Sequence, residues 1–319
     1  MTSVPVGAIA LDYESHGDAG APVVLLIMGL GMPGVAWPDP IVDGLVAAGF
    51  RVVRFDNRDS GHSGKVAAGR LPDLRLAIAR ALLRRAVSAP YTLDDMAADT
   101  AGLLDALGGG RAHLVGVSMG GMIAQNVAAR YPQRVASLTS IMSSTGNPSW
   151  RVALGRPRAL RALLARPANP HDADALVEHY VRVYGVIGSL GFAVDGEQLR
   201  HNLRRIVSRG LHPAGTARQL LAILASGDRR ALLRRIVAPT LVIHGSDDPL
   251  IPVAAGRDTA LHIPGSRLEI IDGMGHDLPP GVQRTLVERI VAHCRAALRP
   301  PDRIPADDTS PPDGSVAPG

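Results

Sequence analysis

Cysteines and targeting signals are nearly absent from this chain. It has 319 residues and a single cysteine, Cys294, so no intramolecular disulfide can form, which is typical of a protein from a reducing compartment. Residues 1–20 contain acidic residues and no basic-then-apolar succession, and the apolar run over 22–36 is too short to cross a bilayer. We therefore expect a cytoplasmic protein with no membrane span.

Aromatic residues and lysines are also scarce. Aromatic residues make up 3% of the chain, and Lys65 is the only lysine beside a large excess of arginine. A sequence pI near 9.9 is compatible with nucleic-acid binding. However, the net charge is only +5, and no stacking platform or recognition motif is present. No cluster of His, Cys and carboxylate residues has metal-ligand spacing. We expect neither a nucleic-acid partner nor a metal or other cofactor.

The chain does contain an alternation of short apolar strands and helical patterns, within a composition that is 46% apolar. Such alternation predicts an α/β fold with a mostly parallel sheet, helices on both faces and ligands at the carboxyl ends of the strands. Residues 12–14 belong to an expected antiparallel hairpin at one edge. The predicted strands are 23–27, 51–55, 112–117, 135–141, 240–243 and 267–271, and the predicted helices lie near 38–49, 92–107, 119–131 and 280–298.

One long interval, between the predicted strands at 135–141 and 240–243, breaks this alternation with a proline-interrupted helical pattern. It predicts a helical cap over 143–235, inserted into an α/β core of 1–142 and 236–298, with a disordered Pro- and Asp-rich tail over 299–319. Residues 148–235 hold 15 arginines against 6 acids. A positively charged cap could steer anionic substrates toward the active site, but we favour the interpretation that these arginines lie on solvated helix faces.

The strongest chemical signal is Gly116-Val117-Ser118-Met119-Gly120, which stands where a predicted strand runs into a helical pattern. In a strand-to-helix turn of this kind, glycines flank the serine because a Cβ would clash with the neighbouring backbone. The motif predicts that Ser118 is a nucleophile exposed at the carboxyl edge of the sheet. It also places the Met119 amide and the helix N-terminus beside any oxyanion that forms.

A serine hydroxyl needs a base and an orienting acid, and in this kind of sheet they follow in the order Ser, Asp, His. His276 lies on a predicted loop after the last strand and is the candidate base. Two adjacent carboxylates, Asp247 and Asp248, follow the preceding strand. The spacing favours Asp248 as the acid, and Asp247 stays the alternative. His244, which ends that strand, is expected to pack or to hydrogen-bond locally.

These motifs resemble those of small bacterial ester hydrolases with the α/β-hydrolase fold and an inserted helical cap, in particular the branch that contains the anthracycline (aclacinomycin) methylesterase and similar carboxylesterases. The residues that carry the resemblance are 25–29, 54–63, 116–121 and 274–279. It implies a cofactor-independent serine ester hydrolase with Ser118, Asp248 and His276 as catalytic triad. Haloalkane dehalogenases and epoxide hydrolases are disfavoured, because their nucleophile at this turn is aspartate.

The resemblance also implies a second oxyanion donor on the loop after the first central strand. Met28 stands where many relatives carry histidine, and the Leu30 amide is the expected donor, a backbone group that this substitution leaves intact. The turn at 56–63 is expected to support the loop, with Asp56 and Arg58 hydrogen-bonding backbone. The expected partner is a small-molecule ester, largely apolar because the pocket would be mostly aliphatic. The aromatic candidates for its lining are Trp37, Trp150, Tyr180, Tyr184 and Phe192.

Two other classes of function remain open at this stage. The same triad could serve related acyl chemistry, either cofactor-free perhydrolysis or hydrolysis of a carbon–carbon bond in a diketone. A hydrolase-fold ligand receptor with vestigial turnover is a third interpretation, which the intact triad disfavours. The motifs belong to shared catalytic machinery, so they specify neither the acyl length, the alcohol group, the physiological substrate nor the oligomeric state.

Overall fold

The computed structural model describes residues 2–67, 72–153, 155–165 and 167–298, and the predicted tail at 299–319 lies outside the described residues. The described residues form one sheet of eight strands in a predominantly parallel α/β arrangement, as predicted. The strands are β1 (Thr2–Val6), β2 (Ile9–His16), β3 (Val23–Ile27), β4 (Arg51–Phe55), β5 (Ala112–Val117), β6 (Val135–Ile141), β7 (Thr240–Gly245) and β8 (Arg267–Ile271).

The order of the strands across the sheet is β1-β2-β4-β3-β5-β6-β7-β8. β1 and β2 form the expected N-terminal hairpin, and β2 pairs antiparallel with β4. From β4 to β8 every neighbouring pair is parallel. β5, β6 and β7 are buried along their whole length, because helices cover both faces of the sheet. The carboxyl ends of these central strands therefore open at one edge.

The helices of the described part match the predicted core helices to within about two residues, a margin that is ordinary for helix ends. The sequence pattern missed α2 and α11. The helices are α1 (Asp39–Ala47), α2 (Leu74–Leu82), α3 (Leu93–Ala106), α4 (Met119–Arg130), α5 (Trp150–Ala153), α6 (Pro157–Leu164), α7 (Ala173–Ile187), α8 (Gly196–Gly210), α9 (Pro213–Ser226), α10 (Arg230–Leu233), α11 (Val253–His262) and α12 (Pro280–Leu298).

Two apolar layers hold the sheet between the helices. α3 begins with a capping box, in which Thr92 and Asp95 bond each other's backbone amides, and packs with α4 on one face. On the other face α1 and α12 pack together, with Leu45 and Leu286 fully buried. Burying side chains of this size stabilises the fold by roughly 1.5–3 kcal/mol each relative to leaving them exposed. The strand ends are thereby fixed on a rigid support.

Helices α5–α10 all lie between β6 and β7 in the chain, and buried arginines attach α8, α9 and the start of α10 to the rest of the fold. Arg209 on α8 contacts Asp12 and donates to Asp56 at 2.9 Å, while Arg218 on α9 makes two hydrogen bonds to Asp59 at 2.7 and 2.6 Å. Arg229 is also buried, among amide and carbonyl oxygens. The expectation of solvated arginines is wrong for these three. Removing one partner of such a buried pair is strongly destabilising, because a buried charge is left uncompensated.

Within the described residues, no helix has both the length and the apolar character needed to cross a bilayer.

His113 on β5 links the stability of the sheet to pH. Burial lowers the pKa of its imidazole from 6.5 to about 4, with further contributions from His293 and Arg111. The unfolded chain takes up a proton near pH 6.5, whereas the folded chain does so only near pH 4. The contribution of His113 is therefore fully present above pH 6.5 and is lost as the pH falls toward 4.

We expect His113→Phe to remove about 2 kcal/mol of the stability that the folded protein loses between pH 7 and pH 5. The measurement is urea unfolding of both proteins at about pH 7 and about pH 5, with the free energy of unfolding extrapolated to water. An equal loss of stability on acidification in both proteins would contradict this assignment.

Candidate active site

Ser118 occupies the sharp turn between β5 and α4. Its backbone has φ 56° and ψ −120°, a conformation that costs a non-glycine residue of order 1–3 kcal/mol and persists only when its surroundings enforce it. The Ser118 amide donates to the Ile141 carbonyl at 2.9 Å, and Ser143 Oγ donates to the Ser118 carbonyl at 2.8 Å. α4 begins at the next residue, Met119, so the serine stands at the positive end of a twelve-residue helix.

The two flanking glycines are required by close backbone approach. A Cβ on Gly116 would lie 2.2 Å from the Gly120 carbonyl oxygen, and a Cβ on Gly120 would lie 2.0 Å from the Ile27 carbonyl oxygen. Both contacts involve backbone that cannot move aside. The glycines of the motif therefore follow from the geometry of this turn rather than from the high glycine content of the chain.

His276 lies on the loop between β8 and α12, facing Ser118. Its Nε2 atom is 3.0 Å from Ser118 Oγ, and its side chain is 8% exposed. The backbone of the loop is also fixed, since the His276 amide donates to the Ile187 carbonyl at 2.7 Å. The structure thus brings the predicted base within hydrogen-bond distance of the predicted nucleophile.

Asp248 follows β7 and contacts the other ring nitrogen of His276, with 2.7 Å between Asp248 Oδ2 and His276 Nδ1. Its second oxygen, Oδ1, accepts hydrogen bonds from the Leu250 and Ile251 amides at 2.9 and 2.8 Å. The carboxylate is completely buried. It is therefore held in one orientation by backbone donors while its free edge meets the imidazole.

The neighbouring candidates point elsewhere. Asp247 is half-buried, and its Oδ1 accepts from Ser246 Oγ at 3.1 Å. His244 is fully buried beside Asp248, 3.6 Å from Oδ2, and its Nε2 lies 2.8 Å from the Ile251 carbonyl oxygen. Burial lowers the pKa of His244, so the ring is neutral at pH 7. The expectation that His244 bonds locally is confirmed.

The loop after β3 carries the second predicted oxyanion donor, Leu30. Gly29 lies directly against the nucleophile, because a Cβ there would stand 3.3 Å from Ser118 Cβ. Met119 is the first residue of α4, on the other side of the serine. Among the described residues, neither the Leu30 nor the Met119 amide has a protein acceptor. Both groups are therefore available to an acceptor on a ligand.

Side chains that the sequence did not single out hold this loop. Asn57 Nδ2 donates to the Met28 carbonyl at 3.0 Å, and Gln219 Oε1 on α9 accepts from the Gly31 amide at 2.7 Å. The predicted role of Asp56 is confirmed, since it accepts from the Gly34 and His62 amides. Arg58 Nη2 donates to the Asp95 carbonyl at 3.3 Å, as expected, but its shorter hydrogen bonds go to the Asp99 carboxylate, at 2.6 and 2.7 Å.

A second cluster joins the inserted helices to the histidine loop. Asp277 Oδ1 accepts from both the amide and the hydroxyl of Ser189, and Ser189 Oγ in turn accepts from the Gly275 amide at 2.8 Å. Burial raises the pKa of Asp277, while the Ser189 hydrogen bonds oppose that rise. No sequence motif marked Ser189, because its partners lie more than eighty positions away.

A cavity of about 1530 Å³ opens over these residues, lined by Ser118, His276 and side chains of the inserted helices. The lining is mostly aliphatic, as predicted. Of the aromatic candidates, Tyr180 and Tyr184 line it, whereas Trp37 is buried in the core and Trp150 is exposed.

Two remaining residues near the cavity differ from expectation. Phe192, the last aromatic candidate, packs against the α1–α12 layer rather than lining the cavity. His179, expected to be solvated, is 8% exposed and lines the cavity. Burial, followed by the charge of Arg182, lowers its pKa. Both differences arise from contacts between residues that are distant in sequence, which the pattern of a single sequence does not encode.

The described part of the chain contains no group of three or more His, Cys, Asp or Glu side chains arranged to hold a metal ion.

Comparison with known proteins gives a consistent result. The family model described as "alpha/beta hydrolase fold" matches residues 22–279. The rhodomycin D methylesterase DnrP of Streptomyces peucetius is 31% identical over 91% of this chain and 96% of its own length. The putative carbamate hydrolase RutD of Variovorax paradoxus is 30% identical over 83% of this chain and 89% of its own. A meta-cleavage product hydrolase from Pseudomonas fluorescens superposes with a TM-score of 0.71 over 93% of this chain and 98% of that one, at 19% identity, which shows the shared fold alone.

Proposed function

The chain belongs to the α/β-hydrolase fold family, and on that premise we propose that it is a serine hydrolase that cleaves a carboxylic ester through an acyl-enzyme intermediate. The observation that carries the proposal is the unbroken row Ser118 Oγ, His276 and Asp248, with spacings of 3.0 and 2.7 Å. A nucleophile, a base and an orienting acid in this order are what acyl transfer from an ester requires.

In the first half of the reaction, Ser118 Oγ attacks the ester carbonyl while His276 Nε2 takes the hydroxyl proton. Asp248 accepts a hydrogen bond from the Nδ1–H group of His276, which fixes the tautomer and stabilises the imidazolium once it forms. The Leu30 and Met119 amides donate to the oxyanion of the tetrahedral intermediate, assisted by the N-terminus of α4. Collapse of that intermediate transfers the Nε2 proton to the departing alcohol and leaves Ser118 acylated.

The second half repeats these steps with water as the nucleophile. His276 removes a proton from a water molecule, which attacks the acyl carbonyl and passes through a second tetrahedral intermediate. His276 then returns the proton to Ser118 Oγ, and the carboxylic acid is released. No group beyond the three side chains, the two amides and water is needed to balance the reaction.

We further propose that residues 143–235 act as a cap over a core formed by 1–142 and 236–298. The cap supplies Tyr180, Tyr184 and aliphatic side chains to the cavity wall above Ser118. A cavity of about 1530 Å³ is larger than ordinary small-molecule sites, which span roughly 300–1,000 Å³. It suits an ester with a bulky or long apolar part, and a natural-product methyl ester, as acted on by the rhodomycin D methylesterase relative, is one candidate.

A panel of p-nitrophenyl esters tests both the reaction and the pocket. We expect kcat/KM to rise by about tenfold or more from acetate to octanoate, because each buried methylene contributes up to roughly 0.8 kcal/mol. The measurement is initial release of p-nitrophenol at substrate concentrations below KM. A preference for acetate would place the apolar cavity on the alcohol side.

Two further assays, run beside the ester panel, separate the alternative functions. A perhydrolase would show peroxide-dependent halogenation above its rate of ester cleavage, and a carbon–carbon hydrolase would cleave a vinylogous diketone in preference to any ester. Binding of esters without turnover would favour a receptor. Any of these results would overturn the proposed function.

A further inference from the structure

α2, which the sequence pattern missed, forms one wall of the candidate active-site cavity. Leu74, Ile78 and Ala81 lie on one side of the helix and line the cavity. α2 also packs against α9, the helix that carries Arg218. A single helix therefore separates part of the cavity from solvent at this place.

The outer side of α2 is apolar as well. Leu76 is 58% exposed and Leu83 is 67% exposed. Leu83 is the C-cap residue directly after α2 and follows Leu76 by seven positions, so the two side chains lie on the same side, opposite the cavity-lining Ile78. Leu82, at the edge of this face, is 64% exposed and also lines the cavity. Several leucines exposed together beside the opening of a cavity are unusual on a protein surface that contacts only solvent, and such patches mark interaction sites.

Arginines surround these leucines. Arg75 and Arg80 on α2, and Arg84 and Arg85 just after it, are all exposed. The one acidic residue in 72–89 is Asp73, whose carboxylate caps the first turn of α2. Among the described residues none of the four forms an ion pair. Arg84 and Arg85 also line the cavity. The cavity mouth thus combines an excess of positive charge, four arginines against one aspartate, with apolar side chains, which is the pattern of a helix that lies on an anionic lipid surface.

We propose that the outer face of α2 docks on an anionic lipid surface, from which an apolar ester enters the cavity. Each arginine near such a surface strengthens binding about fivefold, and insertion of Leu76 and Leu83 adds the burial of apolar area. A second copy of the chain fits this face less well, because a symmetric contact would bring two sets of four arginines together. Entry of the ester rests on the proposed function, but docking on the lipid does not.

Vesicle flotation of the full chain tests the docking. We expect the wild-type protein to float with vesicles of phosphatidylglycerol and phosphatidylcholine and not with phosphatidylcholine alone, and binding should weaken as salt shortens the Debye length to about 8 Å. Leu76→Ser/Leu83→Ser is expected to lower the partition coefficient about tenfold, and Arg80→Gln/Arg84→Gln is expected to lower it about 25-fold. Leu261→Ser, at a site on α11 that is 80% exposed, is the matched control and should bind as wild type does.

The outcomes are distinguishable. Absence of wild-type flotation at low salt, or equal flotation of the double-leucine variant and the Leu261→Ser control, would overturn the proposal. Self-association that is lost in the double-leucine variant would assign the face to a second copy instead. The double-leucine variant should hydrolyse a water-soluble ester at the wild-type rate, which checks its folding. Ser118→Ala should float normally, so a failure of the proposed chemistry leaves the binding result intact.

Discussion

Ser118→Ala is expected to fold normally and to lose on the order of 10³-fold or more in kcat for any ester that the wild-type protein cleaves. Removing Oγ deletes the group that forms the covalent bond and leaves the Leu30 and Met119 amides, which support only residual catalysis. The strained backbone at φ 56° accepts alanine no worse than serine, so stability should change little. The measurement is kcat on the best p-nitrophenyl ester, with thermal unfolding as the check on folding.

Labelling with a fluorophosphonate identifies the reacting serine directly. The reagent should modify wild-type protein at Ser118 and leave Ser118→Ala unmodified. Ser208→Ala is a suitable control, because Ser208 lies on the exposed side of α8 and its hydroxyl bonds only the Arg205 carbonyl within the described structure. A fully active Ser118→Ala protein, or labelling at another serine, would refute the mechanism.

Asp248→Asn is expected to lower kcat by about 10²–10⁴-fold. Asp248 Oδ2 accepts a hydrogen bond from the Nδ1–H group of His276, with 2.7 Å between the two atoms. An amide nitrogen at that place favours the tautomer that carries its proton on Nε2, which cannot accept a proton from Ser118. The backbone donors from Leu250 and Ile251 fix the carboxylate, so the asparagine should keep the same position. The measurement is single-turnover acylation, which isolates the step that needs the base.

Asp247→Asn is the matched control for this variant. The two residues are adjacent, both substitutions remove one negative charge, and only Asp248 touches the imidazole. We expect a loss of less than about tenfold for Asp247→Asn, since its carboxylate bonds the Ser246 hydroxyl. The reverse ranking would transfer the orienting role to Asp247. Small and equal losses would mean that the acid lies elsewhere.

The features that the sequence predicts are those encoded by short stretches of chain. Strands β3 to β8 are mostly apolar runs of five to seven residues, and the turn at Ser118 is marked by glycines that its geometry requires. The order of the parallel strands then brings the loops that carry Asp248 and His276 to the same edge. The fold prediction is confirmed on these grounds. The catalytic roles of the three residues stay predictions.

Features that depend on distant partners were not predictable in this way. The local sequence around Arg218 predicts a solvated helical residue. Its partner, Asp59, lies 159 positions earlier in the chain, so no local pattern indicates the buried ion pair. Ser189 has no local motif, and its role in holding the histidine loop appears only through Asp277. α2 was missed because its leucines lie on the exposed side of the helix as well as on the side that lines the cavity, with arginines between them. Periodicity predicts a helix best when apolar residues are confined to one face, and in α2 they are not.

The arginines that fasten α8 and α9 to the core also bear on how the molecule folds. The contacts of Arg209 with Asp56 and Asp12 join residues 153 and 197 positions apart. Closing a loop of that length costs conformational entropy before any contact compensates for the cost. We therefore expect these ion pairs to form after the helices and strands that carry the arginines and the carboxylates. The central strands must pair before the carboxylates that receive these arginines are in place. The cavity is therefore assembled late in folding, and the inserted helices alone would lack the counter-charges that bury Arg209 and Arg218.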